Sequence, residues 1–499
     1  MTTPRVVFTP RRFNLALLVL ALAGLWARWG GRPTGTLFRD DAWVALSSRV
    51  PLHTAVHMLG TAPLYGLFVR WWIGVVGLSH TALLTLPTLI DAAVAPVIVT
   101  LVAAWWGLRR DYALLAGFFI VISRSDIMYA THLKPYAHDL IAGILVLAAG
   151  EFARRGRSVW PFVALAVATF ATSFTIAPVI AGSVVALLRA RRREWRRLSL
   201  PLAIIGVACA GIYAAARGDV TARLHHSWAG YYVDWSGPRA LFHSLDRIGQ
   251  GVLWGFTDTT PHLHVPGLGS LIEILVATLI ITGLITSRQL SAARWSLVFA
   301  LLASTLALAP LGTGRTDAYL HPALALLAAA GAKWWITQLA RYGRYAAIGG
   351  LAIFCTLSLG DRLAYHFTYP GGNLTPVATA ARQVQSAGGT VLIEGTARWP
   401  WALYEAKNLR IGFSSDYNTG FYPVISDPQV VVMRGSKIEG NYHPTRAVSC
   451  LHHAPTVLYV RADDWSQMGN PLADALRHDG YHVTRAWDVP GYLLETLAR

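Results

Sequence analysis

Eleven apolar segments, several about as long as a membrane-crossing helix, run through the first 360 residues of the chain. They lie at 13–30, 84–106, 111–124, 137–152, 159–172, 174–190, 198–216, 268–287, 294–312, 320–339 and 346–360. About 20 apolar residues are needed for a helix to cross the hydrocarbon core of a bilayer. Only 14% of the 499 residues are charged, whereas soluble domains carry about 25%. The pattern predicts a polytopic α-helical membrane protein with about eleven transmembrane helices, and it excludes an ordinary soluble enzyme and a disordered chain.

Short clusters of arginine separate the apolar segments and predict the orientation of the chain. They lie at 5–12, 109–110, 154–157, 189–197, 288–294 and 341–344. With eleven helices, all of them fall on one side, which the positive-inside rule assigns to the cytoplasm. We therefore predict a multi-pass protein of the plasma membrane with a cytoplasmic N-terminus and an outer C-terminus. The net charge of +17 is dispersed over these loops instead of forming one stripe, which argues against nucleic-acid binding.

Three long segments then lie outside the membrane, at 31–83, 217–267 and 361–499. The apolar stretch 60–78 contains Arg70 beside two tryptophans, which favours a helix lying in the outer interface over a further span. Residues 361–499 hold 12 of the 26 acidic residues. Strand-like runs there (390–395, 428–435, 456–462 and 491–497) alternate with helix-like stretches (375–387 and 470–479). The sequence predicts a transmembrane module over 1–360 and an extracytoplasmic α/β domain over 361–499.

Asp40 and Asp41 follow the first apolar segment by about ten residues, on the predicted outer side. A carboxylate at this place can act as a general base that takes the proton of an acceptor hydroxyl. Taken alone, an aspartate here is more typical of a cap for the helix predicted for the stretch AWVALSSRV. The two roles are compatible, since one carboxylate can cap while the other reacts.

The order of several short motifs resembles the C-type glycosyltransferase superfamily (GT-C). The motifs are Asp40-Asp41 in the first outer segment, Pro63-Leu64-Tyr65 in the interfacial stretch, and Leu86-Pro87 at the start of the second apolar segment. The order of elements is similar along nearly all of residues 1–360. Many members have arginine directly before the Leu-Pro pair, where this chain has Thr85. The resemblance therefore implies that Arg70 supplies the missing cation.

This resemblance implies an inverting transfer of a sugar from a polyprenyl-phosphate donor, outside the cytoplasm. The acceptor would be a cell-envelope glycan, a glycolipid or a protein. The donor would need cations for its phosphate and an apolar groove for its tail. The resemblance implies Asp40 as the base, Asp41 as its neighbour or rival, and Tyr65 as a residue that positions donor or acceptor.

Residues 123–140 form the first candidate phosphate site, because Arg124, His132, Lys134, Tyr136 and His138 crowd one short outer segment. Cations on this side oppose the positive-inside bias. Solvation of the loop or contact with lipid headgroups also accounts for them. The Lys134-Pro135-Tyr136 triplet resembles a stretch that contacts the donor in GT-C members. The resemblance implies that Lys134 and His132 bind phosphate and that Tyr136 and His138 position the donor.

Residues 311–322 form the second candidate phosphate site. Gly312 and Gly314 permit close backbone approach, and Arg315 is suited to binding a phosphate through two parallel hydrogen bonds. An ordinary turn with an arginine facing the headgroups fits the same residues. A similar stretch in GT-C members matches Arg315, Tyr319 and Pro322, which implies phosphate binding by Arg315 and donor positioning by Tyr319.

The remaining features leave alternatives open. Adjacent His225 and His226 point apart, so their spacing does not support a divalent metal site, and no other cofactor is indicated. Asp91 lies inside an apolar segment, where an acid is either functional or buried in a pair. The rival functions are a lipid or solute transporter or flippase, which would show paired half-repeats that we do not find, and a non-catalytic envelope-assembly protein.

Overall fold

The computed structural model describes two compact units. The described residues are 9–29, 35–37, 39–58, 62–216, 225–226, 228–257, 268–339, 341–364, 372–417, 419–433, 443–462 and 471–499. The first unit comprises Met1–Arg32, Thr85–Tyr213 and Ala229–Thr368, and the second comprises Pro33–Leu84, Ala214–Trp228 and Tyr369–Arg499. The boundary at 360/361 stays a prediction.

Helices make up the first unit, and each of the eleven predicted segments contains one. They are α1 (Pro10–Trp29), α5 (His80–Leu89, whose first turns lie in the second unit), α6 (Ala95–Trp105), α7 (Arg110–Ile122), α8 (Arg124–Tyr129), α9 (Tyr136–Arg154), α10 (Trp160–Thr172), α11 (Ala177–Ala190), α12 (Trp195–Ala216), α13 (Pro238–Thr257), α14 (Leu268–Thr286), α15 (Ser291–Thr305), α16 (His321–Gln338) and α17 (Arg341–Ala364); the earlier α2 to α4 belong to the second unit and are given below. A π-helical turn at Ile90–Val94 joins α5 to α6.

Small residues bring the helices of this bundle into close contact, as is usual where helices pack within a membrane. A β-carbon at Gly182 of α11 would collide with the backbone of Ser296 in α15, and one at Gly283 of α14 would collide with Leu327 in α16. Helix α16 is the most enclosed, since the whole stretch from His321 to Ala332 is buried. This apolar stretch of α16 is therefore covered by protein on all sides.

The structure confirms an apolar helical module, whereas the count of eleven spans stays a prediction. Among the described residues, four helical stretches are long and apolar enough to cross a bilayer: Pro10–Trp29, His80–Trp105, Tyr136–Arg154 and Arg192–Ala215. The pair Ser270–Thr286 and Arg288–Thr305, bent by 90°, makes a fifth if it is one broken span. Shorter apolar helices, such as the 13-residue α10, have fewer than the roughly 20 residues that a span requires.

A sheet with helices on it forms the C-terminal part of the second unit, as predicted. Its strand order is β4-β1-β5-β7-β6, with β1 parallel to β4 and β5 and with β7 antiparallel to β5 and β6. The strands are β1 (Thr390–Ile393), β2 (Leu409–Phe413), β3 (Phe421–Ile425), β4 (Val430–Val432), β5 (Thr456–Ala462), β6 (His482–Val489) and β7 (Tyr492–Ala498), and the helices are α18 (Leu374–Ser386), α19 (Arg398–Tyr404), α20 (Pro444–Ser449) and α21 (Pro471–His478). All four predicted strands and both predicted helices are present. The antiparallel β2–β3 pair and β6 were not predicted.

The second unit also contains the segment between the first two apolar stretches, which forms α2 (Arg39–Ala45), α3 (Leu52–Ala55) and α4 (Pro63–Val76). Helix α4 confirms the helix expected within 60–78. Thr36 forms a β-bridge with Gly372. Arg49 donates hydrogen bonds from its two terminal nitrogens to the carbonyls of Leu403 and Ala406, each at 2.7 Å. Residues 35–58 therefore pack on the C-terminal α/β part, within one unit.

Candidate active site

Asp40 and Asp41 lie in the first turn of α2, where carboxylates stabilise the positive end of a helix. The indole Nε1 of Trp43 donates to Oδ1 of Asp40 at 3.2 Å. Asp41 is 3% exposed, whereas Asp40 is half-buried. Arg39, directly before the pair, has a φ of 40°, which is a strained conformation for a residue with a side chain. Such strain is often found at functional sites, and Asp40 is the more accessible of the two carboxylates.

Aromatic packing fixes the position of α2. The ring of Trp43 meets that of Phe421 edge-on at 5.8 Å, and Phe421 meets Trp399 in the same way at 5.6 Å. Trp399 is 1% exposed on α19. The helix that carries both aspartates is therefore anchored to the C-terminal α/β part by edge-to-face contacts.

The interfacial helix α4 supplies Tyr65 and Arg70 to the same unit. Tyr65 is 1% exposed. One terminal nitrogen of Arg70 donates to the carbonyls of Ser47 and Val50, each at 2.6 Å. This guanidinium therefore fixes the turn that follows α2, and its role as a phosphate ligand stays a prediction.

In the first unit, residues 123–140 form α8, a tight loop and the start of α9. The Oγ of Ser123 caps α8 by accepting from the backbone of Asp126 at 3.4 Å. The ring of Tyr129 lies 5.5 Å from that of His132 and 5.1 Å from that of Tyr136. His132 is 2% exposed. The segment is thus a packed aromatic and cationic cluster, which differs from a solvated loop.

The other two predicted residues of this segment differ in burial. Lys134 is 7% exposed, and His138 is half-buried in the first turn of α9. The next residue, Asp139, accepts a hydrogen bond from Oγ1 of Thr175 at 3.0 Å.

Residues 311–322 form a turn organised by Thr313. Its Oγ1 accepts from the backbone of Arg315 at 3.1 Å and of Thr316 at 2.8 Å. Gly312 has a φ of 81°, and a β-carbon there would meet the backbone of Ile248 in α13 at 2.7 Å. The expected glycine thus permits both an unusual backbone conformation and a close helix approach. Arg315 is half-buried at this turn.

Asp126 and His321 join the two candidate phosphate segments. The Nδ1 of His321 lies 2.6 Å from Oδ1 of Asp126, and both side chains are almost fully buried. Tyr319, which is 1% exposed, precedes this contact and packs against α9, since a β-carbon at Gly143 would collide with its carbonyl. The structure therefore brings the segment of Lys134 together with that of Arg315. Sequence reasoning missed this pair, although a histidine beside Pro322 at a helix start was visible.

A second buried ionic group lies at the end of α7. The Nε of Arg28 donates to Oδ2 of Asp91 at 2.6 Å, and its terminal nitrogens donate to the carbonyls of Val121 and Ile120 at 3.2 and 2.9 Å. Arg362 donates to the next carbonyl, of Ile122, at 3.1 Å. Of the two roles open for Asp91, the structure shows the buried pair. The arginine partner was missed because it lies at the end of an otherwise apolar helix.

The described residues contain no group of three or more histidine, cysteine, aspartate or glutamate side chains able to hold a metal ion. His225 and His226 are exposed. The predicted site residues offer carboxylates, arginines, histidines, a lysine and tyrosine rings.

Solved structures with the same architecture cover almost the whole chain. The apo crystal structure of ArnT from Cupriavidus metallidurans shares 11% identity and a TM-score of 0.58, with 97% of each chain covered. The chain has the GT-C fold. The same ArnT bound to undecaprenyl phosphate matches at 14% identity and a TM-score of 0.50, again over 97% of each chain. The Archaeoglobus fulgidus oligosaccharyltransferase, in complex with Zn and sulfate, matches at 12% identity and a TM-score of 0.50, over 96% of this chain and 72% of that one.

No protein-family model and no curated protein matches the sequence. At 11 to 14% identity, the structural likeness shows the fold alone. The GT-C resemblance inferred from the order of Asp40-Asp41, Pro63-Leu64-Tyr65 and Leu86-Pro87 is confirmed at that level.

Proposed function

We propose that this protein is an inverting glycosyltransferase that transfers a sugar from a polyprenyl-phosphate donor to a cell-envelope glycan, lipid or protein outside the cytoplasm. The observation that carries the proposal is the GT-C fold over the full chain, with a TM-score of 0.58 to ArnT. A structure of that protein holds undecaprenyl phosphate. A transferase with such a donor needs bound cations and a carboxylate, and the chain provides both.

The donor phosphate is assigned to the two joined segments of the first unit. Lys134 and Arg315 lie on segments that the Asp126–His321 contact holds together. A phosphate bound by both cations leaves more readily, because their charge stabilises the negative charge that develops on it. His132 adds a further donor, and Tyr136 and His138 border the same loop. Tyr319 is buried and would act by shaping the site.

Activation of the acceptor hydroxyl is assigned to Asp40. Its carboxylate takes the proton of the acceptor hydroxyl, while the oxygen forms a bond to the anomeric carbon from the face opposite the phosphate. The bond from this carbon to the phosphate oxygen breaks, and the lipid phosphate leaves with the electron pair. The indole of Trp43 orients the carboxylate of Asp40, Arg70 stabilises the neighbouring turn, and Tyr65 positions the donor or the acceptor.

Turnover by purified protein tests the base. The donors are a panel of synthetic polyprenyl-phosphate monosaccharides, and the acceptor is a cell-envelope extract. Asp40→Asn keeps the shape of the side chain and removes the base, so we expect a loss of about a hundredfold or more with unchanged folding. Asp41→Asn should lose less, and exposed Asp488→Asn is the matched control.

The outcomes separate the assignments. A dead Asp41→Asn beside an active Asp40→Asn would move the base to Asp41. Full activity of both variants would remove the base from this pair. If the wild type transfers no sugar from any donor in the panel, the glycosyltransferase proposal itself loses support.

Binding of undecaprenyl phosphate, measured without turnover, tests the phosphate residues. Lys134→Ala and Arg315→Ala should each weaken binding by about tenfold or more, since a hydrogen bond to a charged group contributes about 1.5–3 kcal/mol. Arg193→Ala removes an exposed arginine at the predicted cytoplasmic face and should bind normally. A double variant that binds as tightly as the wild type would disprove the assignment.

A further inference from the structure

A long cavity lies between α1, α7, α16 and α17, apart from the proposed active-site residues. Its volume is about 1080 Å³, at or above the upper end of about 300–1,000 Å³ for ordinary small-molecule pockets. Its lining residues lie between Arg12 and Ala23, between Arg109 and Phe118, at Ile336 and Thr337, and between Tyr345 and Leu359. All of these residues belong to the first unit.

The polar lining residues gather at one end of the four helices. Arg12 lies in the first turn of α1, Arg109 and Asp111 lie at the start of α7, Thr337 ends α16, and Tyr345 begins α17. This is the face that the arginine clusters predict to be cytoplasmic. The remaining wall is almost wholly apolar. The cavity therefore has a polar mouth and an apolar body, as an amphiphile requires.

The length of the apolar body matches one leaflet of a bilayer. Between Arg12 and Ala23, α1 rises about 16 Å, and between Tyr345 and Leu359, α17 rises about 21 Å, at 1.5 Å per residue. Half of the hydrocarbon core is about 15 Å. Leu15 and Val19 are 60% and 58% exposed, so the groove is open at its side, where an acyl chain can enter from the bilayer.

The charges at the mouth select the headgroup. Asp111 accepts hydrogen bonds from Arg109 with both of its oxygens, at 3.1 and 2.5 Å. The charge of Asp111 is therefore used by Arg109 and does not neutralise the exposed Arg12. The two arginines and one aspartate carry a net charge of +1, which complements a single phosphodiester. Basic pockets between helices at the cytoplasmic face are suited to anionic lipid headgroups.

We propose that this groove is a binding site for one anionic glycerophospholipid of the cytoplasmic leaflet, with its phosphate at Arg12 and its acyl chains against α1, α7 and α17. A lipid held there fills the space between α17 and the rest of the bundle. This site is separate from the donor site proposed above, and its ligand is a structural lipid.

Native mass spectrometry of delipidated protein in detergent tests the proposal. The probes are dioleoyl phosphatidylglycerol, dioleoyl phosphatidylcholine and undecaprenyl phosphate. We expect one phosphatidylglycerol per chain, held at least about tenfold more tightly than phosphatidylcholine, because the choline cation cancels the phosphate charge and is repelled by the arginines at the mouth. Arg12→Glu should abolish this preference, whereas Arg11→Glu, an equal charge change in the same turn outside the lining, should keep it.

Filling the groove gives a second, independent test. Ala352→Trp should prevent retention of phosphatidylglycerol, while Ala346→Trp, on the same helix outside the lining, should not. If Ala352→Trp does not fold, Ala16→Trp on the opposite wall replaces it. Equal binding of both phospholipids, equal effects of Arg11→Glu and Arg12→Glu, or retention by the filled variants would overturn the proposal. If the protein instead prefers undecaprenyl phosphate and Ala352→Trp removes that preference, the proposal is overturned and the groove binds a polyprenyl lipid.

Discussion

Replacing Arg28 with methionine should strongly destabilise the helical bundle. Arg28 is fully buried, its Nε contacts Asp91 at 2.6 Å, and it donates to the carbonyls of Ile120 and Val121. These carbonyls belong to the last turn of α7, whose C=O groups have no partner within the helix. Methionine fills similar space but leaves a buried carboxylate and two carbonyls without these donors.

The size of the effect follows from these contacts. Removing one partner of a buried ion pair costs about 3–5 kcal/mol, because the other charge is left buried without compensation. In the double variant Arg28→Met/Asp91→Asn no buried charge remains, so we expect it to be more stable than Arg28→Met alone. The coupling between the two substitutions should reach about 2 kcal/mol or more, which corresponds to about thirtyfold in the unfolding equilibrium.

Equilibrium unfolding in mixed micelles of detergent and sodium dodecyl sulfate, followed by circular dichroism, measures these free energies. Arg11→Met, an exposed arginine of the same helix, is the control and should change the free energy of unfolding by less than about 0.5 kcal/mol. Ordinary hydrogen bonds between membrane helices show an average coupling of about 0.6 kcal/mol. A measured coupling at or below that value would refute the ion-pair reasoning.

Three further predictions concern the two units. Burial raises the pKa of Tyr404, which accepts from the backbone of Leu37 and donates to the carbonyl of Leu78, to about 12. The stabilisation by the neutral phenol is therefore complete below about pH 10 and is lost as the pH rises toward 12. Between about pH 9 and 12 the free energy of unfolding should fall by about 2 kcal/mol more in the wild type than in Tyr404→Phe. Equal falls in both proteins, measured by chemical unfolding, would contradict this. His321→Gln should weaken undecaprenyl phosphate binding about tenfold by loosening the two joined segments, with His478→Gln as control; unchanged affinity would show that the Asp126 contact does not support the site. In a variant without native cysteines, a cysteine at 488 should react with an impermeant maleimide in intact cells and one at 193 only after lysis, and the reverse pattern would refute the predicted orientation.

Hydropathy predicted most of the architecture, because apolar runs of sufficient length can be recognised without knowing their partners. The strands β1, β5 and β7 were visible for the same reason, since each carries several buried apolar residues. Strand β6 was missed because its residues are mostly exposed, which removes the apolar signal. The β2–β3 pair was missed because its strands are only partly buried and the segment between them is short.

The sequence predicted which types of residue form the candidate site, but it did not predict which of them contact one another. Lys134 and Arg315 stand out because cations are rare on the predicted outer side, and Asp40 stands out because it belongs to a pair of adjacent aspartates. Asp126 and His321 are 195 positions apart, and no spacing rule connects residues at that distance. The predicted count of eleven spans exceeds the four or five long apolar helices among the described residues, because it includes segments such as α10 and α11. Their 13 and 14 residues are more typical of a buried helix than of a span.

The packing of residues 35–58 on α19 has a consequence for how the protein is made. Arg49 and Leu403 are 354 positions apart, and Leu37 and Tyr404 are 367 apart. A ribosome that adds about 5–20 residues per second needs about 20–70 s to cover this interval. During this time the aspartate-bearing helix is already synthesised, yet the surface that anchors it does not exist. A nascent protein stalled before residue 398 should therefore carry the Asp40-Asp41 pair in an unanchored state.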